Sequence, residues 1–119
     1  MSYGIYTSHD LQVAGDQIIP VPFLPKSIRI IAHINSAAYE SSYGFWTPNL
    51  NGGYCQFDMG GGAKNGKLNF IASMWDRASG GETSGAISAV SDTQFTITWS
   101  KNGAGASGVI QMLIEVLSH

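Results

Sequence analysis

The chain has 119 residues, 44% hydrophobic and only 12% charged, with 15 glycines and a formal net charge of −2. That balance offers no basic footprint for nucleic acid or an anionic membrane surface. No apolar run approaches the ~20 residues of a membrane-spanning helix, and the lone Cys55 excludes an intramolecular disulfide.

The length suits one domain, 1–119, large enough for a real core. Ordinary domains carry about 25% charged residues, so the low charge fits a surface partly hidden in an assembly. The first residues, MSYGIYTSHD, show no basic segment followed by an apolar one. The expectation is therefore a chain made in the cytoplasm without a secretory signal.

In chain order, residues 1–13 read as an N-terminal arm or a first edge strand, with Tyr3, Ile5 and Tyr6. After a turn at Ala14-Gly15-Asp16, Gln17 to Phe23 alternates with Pro20 and Pro22 on one face. Proline cannot donate to a ladder, which confines this strand to a sheet edge. Ser27 to Asn35 has the clearest inward set of the first half, Ile28, Ile30, Ala32 and Ile34, with Arg29, Ile31 and His33 facing out. A loop over 35–42 leads to a short strand, Tyr43 to Thr47, stopped by Pro48.

Asn51-Gly52 is a hairpin signal, because that pair accepts the positive φ angles of a tight primed turn. The returning strand is Tyr54 to Met59. Gly60-Gly-Gly62 and Asn65-Gly66 mark a loop with Lys64 and Lys67 solvated at its rim. Leu68 to Trp75 reads as one strand, and Asp76 to Ser84 as a second long loop.

The stretch from Gly85 to Leu117 reads as three strands. In the middle one, Phe95, Ile97 and Trp99 alternate with Thr96, Thr98 and Ser100, a period of two that suits a half-buried strand. The last, Val109 to Leu117, has Ile110, Met112, Ile114 and Val116 on one face and Val109, Leu113 and Leu117 on the other. It is expected to be covered on both sides. About eight short strands spaced 8–12 residues apart predict an all-β chain, a single antiparallel β-sandwich of jelly-roll or H-type-lectin-like layout.

The catalytic inventory is thin, and no enzyme is expected. His9, His33 and His119 lack metal-ligand spacing to one another or to Cys55, which reads as a small buried residue. No Gly-x-Ser-x-Gly elbow occurs. Asp58 and Asp76 are the best-placed carboxylate pair, but any chain with eight acids offers one. Gly60-Gly-Gly62 and Gly80-Gly81 are turn glycines, since neither opens a Gly-Lys-Ser/Thr phosphate loop. No catalytic residue, metal or cofactor is assigned.

The remaining candidates are aromatic. Trp46, Tyr54 and Trp75 sit at strand ends beside loops, and Asp76-Arg77 follows Trp75 directly. A Trp flanked by Asp and Arg can stack on a sugar and bond its hydroxyls. The more ordinary reading is a core Trp75 with Asp76 and Arg77 solvated or paired, and such groups can also form a subunit interface, where Trp, Tyr and Arg are enriched.

Two blocks carry a resemblance: Phe23-Leu-Pro-Lys26 before the strand SIRIIAHI, and Ile87 to Lys101, ISAVSDTQFTITWSK, before a Gly/Ser loop and a closing strand. With Ser42-Tyr-Gly-Phe45 between them, the layout over Gln17 to Leu117 resembles the small β-sandwich modules of tailed-phage virions. It is also similar in strand order to H-type lectin domains, which form trimers and bind sugars. The resemblance implies a structural virion protein at a capsid, head-fibre, baseplate or tail-tip position, acting by protein–protein contact. Its partners would be other virion proteins and copies of itself, a trimer being favoured, and its location the virion. The alternative it implies is an adhesin that binds a host surface glycan.

Overall fold

The computed structural model describes residues 1–34, 41–58, 64–76 and 80–119. The glycine run at 60–62, Arg77 and most of the expected loop at 35–42 lie outside these residues. Ten strands form two antiparallel sheets with no helix among the described residues. The larger sheet has the order β1 (Ser2–Asp10), β10 (Val109–Leu117), β3 (Ser27–Ile34), β4 (Ser41–Trp46), β5 (Tyr54–Asp58) and β6 (Lys64–Leu68). The smaller is β2 (Gly15–Pro20), β9 (Gln94–Asn102), β8 (Glu82–Val90) and β7 (Ala72–Trp75).

This is the expected β-sandwich, and its core follows the alternation in the sequence. Ile28, Ile30, Ala32 and Ile34 of β3, and Ile110, Met112, Ile114 and Val116 of β10, are buried against Phe95, Ile97 and Trp99 of β9. Within 1–13, Ser2–Asp10 forms β1, which lies at one end of the larger sheet and pairs along its whole length with β10. Gln17 onward is also an edge strand, as two prolines required.

The strand count exceeds eight partly because Leu68 to Trp75 is not one strand. Asn69 takes a φ of +77°, a left-handed conformation that Asn tolerates better than other non-glycine residues. Its N–H donates at 2.9 Å to the O of Gly53, which precedes β5 of the larger sheet, and the Ile71 N–H donates to Gly85 O at 2.8 Å on the smaller one. The chain thus changes sheets over three residues.

The same crossing fixes a glycine. A methyl group on Gly44, on the inward side of β4, would lie 1.6 Å from Ile71 O. The link between the sheets passes directly over that position.

Other expectations change in detail. β4 and β5 form a hairpin, but Asn51 does not take the positive φ of a primed turn; Gly52 and Gly53 do, at +79° and +118°. The loop bends earlier, with Leu50 N–H on Thr47 O, and Gly52 O accepts from Ile87 N–H of the smaller sheet. The glycine is therefore used to bridge sheets. β8 begins at Glu82, which shortens the loop after β7.

Lys67 is only partly solvated, its side chain 28% exposed. Its ammonium pairs with Glu82, bonds Ser84 Oγ at 3.0 Å and lies 4.7 Å from the Phe70 ring centre. Ser84 Oγ continues to Ser73 Oγ at 2.9 Å, so a polar seam closes one edge of the sandwich.

The opposite edge is closed by His9 and Trp99. Their rings stack at 4.5 Å and 7°, and Trp99 Nε1–H donates to Gln17 Oε1 at 2.9 Å. Burial holds the His9 imidazole below its usual value of 6.5, against the weaker opposing pull of its bond with Val13 O and of the Asp10 carboxylate. The unfolded chain therefore takes up this proton near pH 6.5, and the folded chain only at lower pH. Folded stability is expected to fall as the pH drops below 6.5. Thermal melting of wild type and His9→Gln between pH 7.5 and 5 checks this. The difference between the two curves should be flat above pH 6.5 and change below it, and a flat difference throughout would contradict the assignment.

Candidate functional site

The face of β10 opposite the core is open. Leu113 is 53% exposed and Glu115 is exposed, so the expected cover on both sides is not supplied by the described residues. Strand register shows what lies beside them. Tyr6, Leu113, Ile31 and Tyr43 are direct cross-strand neighbours, one from each of β1, β10, β3 and β4. A second row runs Glu115, Arg29, Phe45, Tyr54 and Leu68.

Six of these side chains are large, apolar or aromatic, and between 41% (Phe45) and 68% (Tyr6) exposed. Together they present roughly 600 Å² of largely apolar surface, at the top of the range for a lone monomer. The face is nearly neutral. Arg29 Nε and Glu115 Oε1 are 4.0 Å apart with both side chains over half exposed, a pair that adds little stability. Troughs of about 260 Å³ flank Tyr43, one against Arg29 and Glu115 and the other against Gln56 and Asp58.

The residues singled out in the sequence do not gather here as one group. Tyr54 does lie on this face, half-buried, with its ring tilted at 53° against Phe45 at 5.9 Å. Trp46 points the other way: it is 8% exposed, belongs to the core, and lines a shallow recess of about 400 Å³ with Asn49, Asn51 and Ser88. Trp75 ends β7 at the margin of the smaller sheet, half-buried.

Asp76 is engaged in loop structure. Its Oδ2 accepts from Ser107 Oγ at 2.9 Å, its backbone N–H donates to Gly81 O, and its C=O accepts from Gly80 N–H, both at 2.7 Å. Arg77 is outside the described residues. The buried Thr83 hydroxyl helps hold the same loop, donating to Leu11 O and accepting from Ala106 N–H, each at 2.9 Å.

The closest contact resembling a nucleophile with its base is Lys67 beside Ser84. Ser84 is buried and the lysine is committed to Glu82, so a substrate could not reach the hydroxyl. Cys55 is fully buried, and burial pushes its thiol up to about 11. Among the described residues no three His, Cys, Asp or Glu side chains gather as a metal site would require.

The open face was partly visible in the sequence, since Ile31 and Leu113 fall on the outward sets of their strands. What the alternation could not show is that no second layer among the described residues covers them. No protein family, curated protein or solved structure matches this chain.

Proposed function

We propose that the protein is a structural subunit of a tailed-phage virion that works by protein–protein contact through the open face of its six-stranded sheet. The observation that carries this reading is the unbroken row Tyr6–Leu113–Ile31–Tyr43, extended by Phe45 and Leu68. Leaving such a surface in water forgoes about 25 cal/mol for each Å² that a partner would bury. The virion assignment draws on the sequence resemblance to small β-sandwich modules of tailed phages, and the low charge of the chain agrees with it.

Virions purified from the source culture should contain the chain at a fixed ratio to the major capsid or tail protein. A chain carrying Ile31→Lys and Tyr43→Lys should fold with a stability loss of no more than about 1 kcal/mol, because both positions are half exposed. It should nevertheless be missing from particles. Wild-type chain absent from virions, or full incorporation of the double variant, would overturn the reading.

The alternative reading is a glycan at this face, supported by the Tyr43 ring between two troughs bordered by Arg29, Glu115, Gln56 and Asp58. Competable binding to one sugar class that Tyr43→Ala abolishes would reassign the protein as a receptor-binding adhesin.

A further inference from the structure

We infer that two copies of this chain pair antiparallel along the free edge of β1, about a two-fold axis at Gly4, so that their six-stranded sheets become one. The hydrogen bonds of β1 determine which backbone groups are available. Leu11 N–H donates to Gly108 O, and Ser118 N–H donates to Met1 O, both at 3.0 Å. The odd-numbered residues of β1 therefore face β10. Successive residues of a strand direct their N–H and C=O groups to alternate sides. Ser2, Gly4, Tyr6 and Ser8 accordingly face away from the sheet.

One of these groups is already occupied: Gln17 Nε2–H donates to Ser8 O at 3.0 Å. Ser8 keeps only its N–H; Ser2, Gly4 and Tyr6 keep both N–H and C=O, and no strand among the described residues pairs with them. The set from Ser2 to Tyr6 is symmetric about Gly4. Placing Gly4 opposite the second copy's Gly4 puts Ser2 opposite the second copy's Tyr6, and satisfies the set with about six main-chain hydrogen bonds. The side-chain position of Gly4, on the open-face side, is also unencumbered: a methyl group there would meet nothing within 4 Å. The occupant is a second copy because the free groups complement themselves.

The other three edges carry the features that prevent such pairing. β6 is five residues long and contains Lys64 and Lys67, β2 ends in Pro20, and β7 has four residues. β1 has nine residues, no lysine, no proline and an unbroken register.

The side chains agree with the same register. It sets Tyr3 opposite the second copy's Ile5, in a non-hydrogen-bonded pair where side chains approach most closely. Both point toward the smaller sheet, which leaves Tyr3 43% exposed and Ile5 half-buried. Each copy would cover the other's uncovered residues. One edge per copy closes at two, where the lectin-like layout had implied three. The contact uses a strand edge and is independent of what binds the open face.

Sedimentation equilibrium of the wild-type chain should give twice its mass of 12.7 kDa, with Gly4 and Tyr6 amides protected from exchange in a concentration-dependent way. Tyr3→Lys, at a position already exposed in the single chain, should give a folded monomer. Gly4→Pro should do the same, because the lost N–H serves no bond within the chain. Ile31→Lys with Tyr43→Lys should remain a dimer. A wild-type monomer or trimer, or a dimer that survives Tyr3→Lys, would overturn the inference. So would a dimer broken by the face variants alone, which would place self-association on the open face.

Discussion

Gly44→Ala is expected to leave the chain largely unfolded. The added methyl would sit 1.6 Å from Ile71 O, 2.6 Å from Ile71 C and 3.1 Å from Cys55 Cβ. Two of these three are backbone atoms, so no rotamer change relieves the clash. Moving the Ile71 segment would break its hydrogen bond to Gly85 O and disturb the bond from Ser73 N–H to Ser42 Oγ, which tie the crossing link to both sheets. Overpacking against backbone that cannot yield belongs to the rare class of changes costing about 4 kcal/mol or more. Small domains have about 5–15 kcal/mol in total. The melting temperature should fall by at least ~15 °C, or the protein should accumulate as insoluble material. Gly4→Ala, in open space, is the matched control and should melt with the wild type. A Gly44→Ala protein melting within a few degrees of wild type would mean that the sheets do not approach as described.

Trp99→Ala should be the second most damaging single change, costing about 3–5 kcal/mol as expected for a large aromatic removed from a core. Trp99 is 1% exposed, and its ring supports three things at once. It fills the space beneath Gly85, stacks on His9 of β1, and donates to Gln17 Oε1 of β2. Gln17 in turn donates to Ser8 O. Loss of the indole therefore loosens the attachment of β1 as well as the core. Trp99→Phe keeps most of the packing but strands the Gln17 carbonyl, and should cost about 1–3 kcal/mol. Urea unfolding of the three proteins with a common m-value checks both figures. A Trp99→Ala loss below about 1 kcal/mol would remove Trp99 from its assigned role.

The parts of this structure that were readable in the sequence are those where one physical rule acts alone. β3 and β9 sit over the core centre, where inward positions must be apolar, so the sets Ile28/Ile30/Ala32/Ile34 and Phe95/Ile97/Trp99 appear as period-two patterns. The run from Leu68 to Trp75 misled because its apolar residues continue through a change of sheet. The deciding feature is the left-handed backbone of Asn69, and composition records that only as one Asn among apolar neighbours.

Lys67 reads as solvated in the sequence because its partner Glu82 is distant along the chain and lies on the other sheet. The Trp75-Asp76-Arg77 reading had the same weakness. Asp76 meets Ser107 of the loop between β9 and β10, a contact that local sequence cannot anticipate. Alternation did place Ile31 and Leu113 together on one side. Whether a second layer covers that side depends on the path of the whole chain.

The most direct test of the central claim is hydroxyl-radical footprinting of the chain on virions and free in solution. Strong protection of Tyr43, Phe45, Ile31 and Leu113 is expected on the particle, with Ile18 and Val13, exposed elsewhere on the surface, reacting equally in both states. Equal labelling of the four open-face residues in both states, with protection elsewhere, would contradict it and move the working surface to another part of the sandwich.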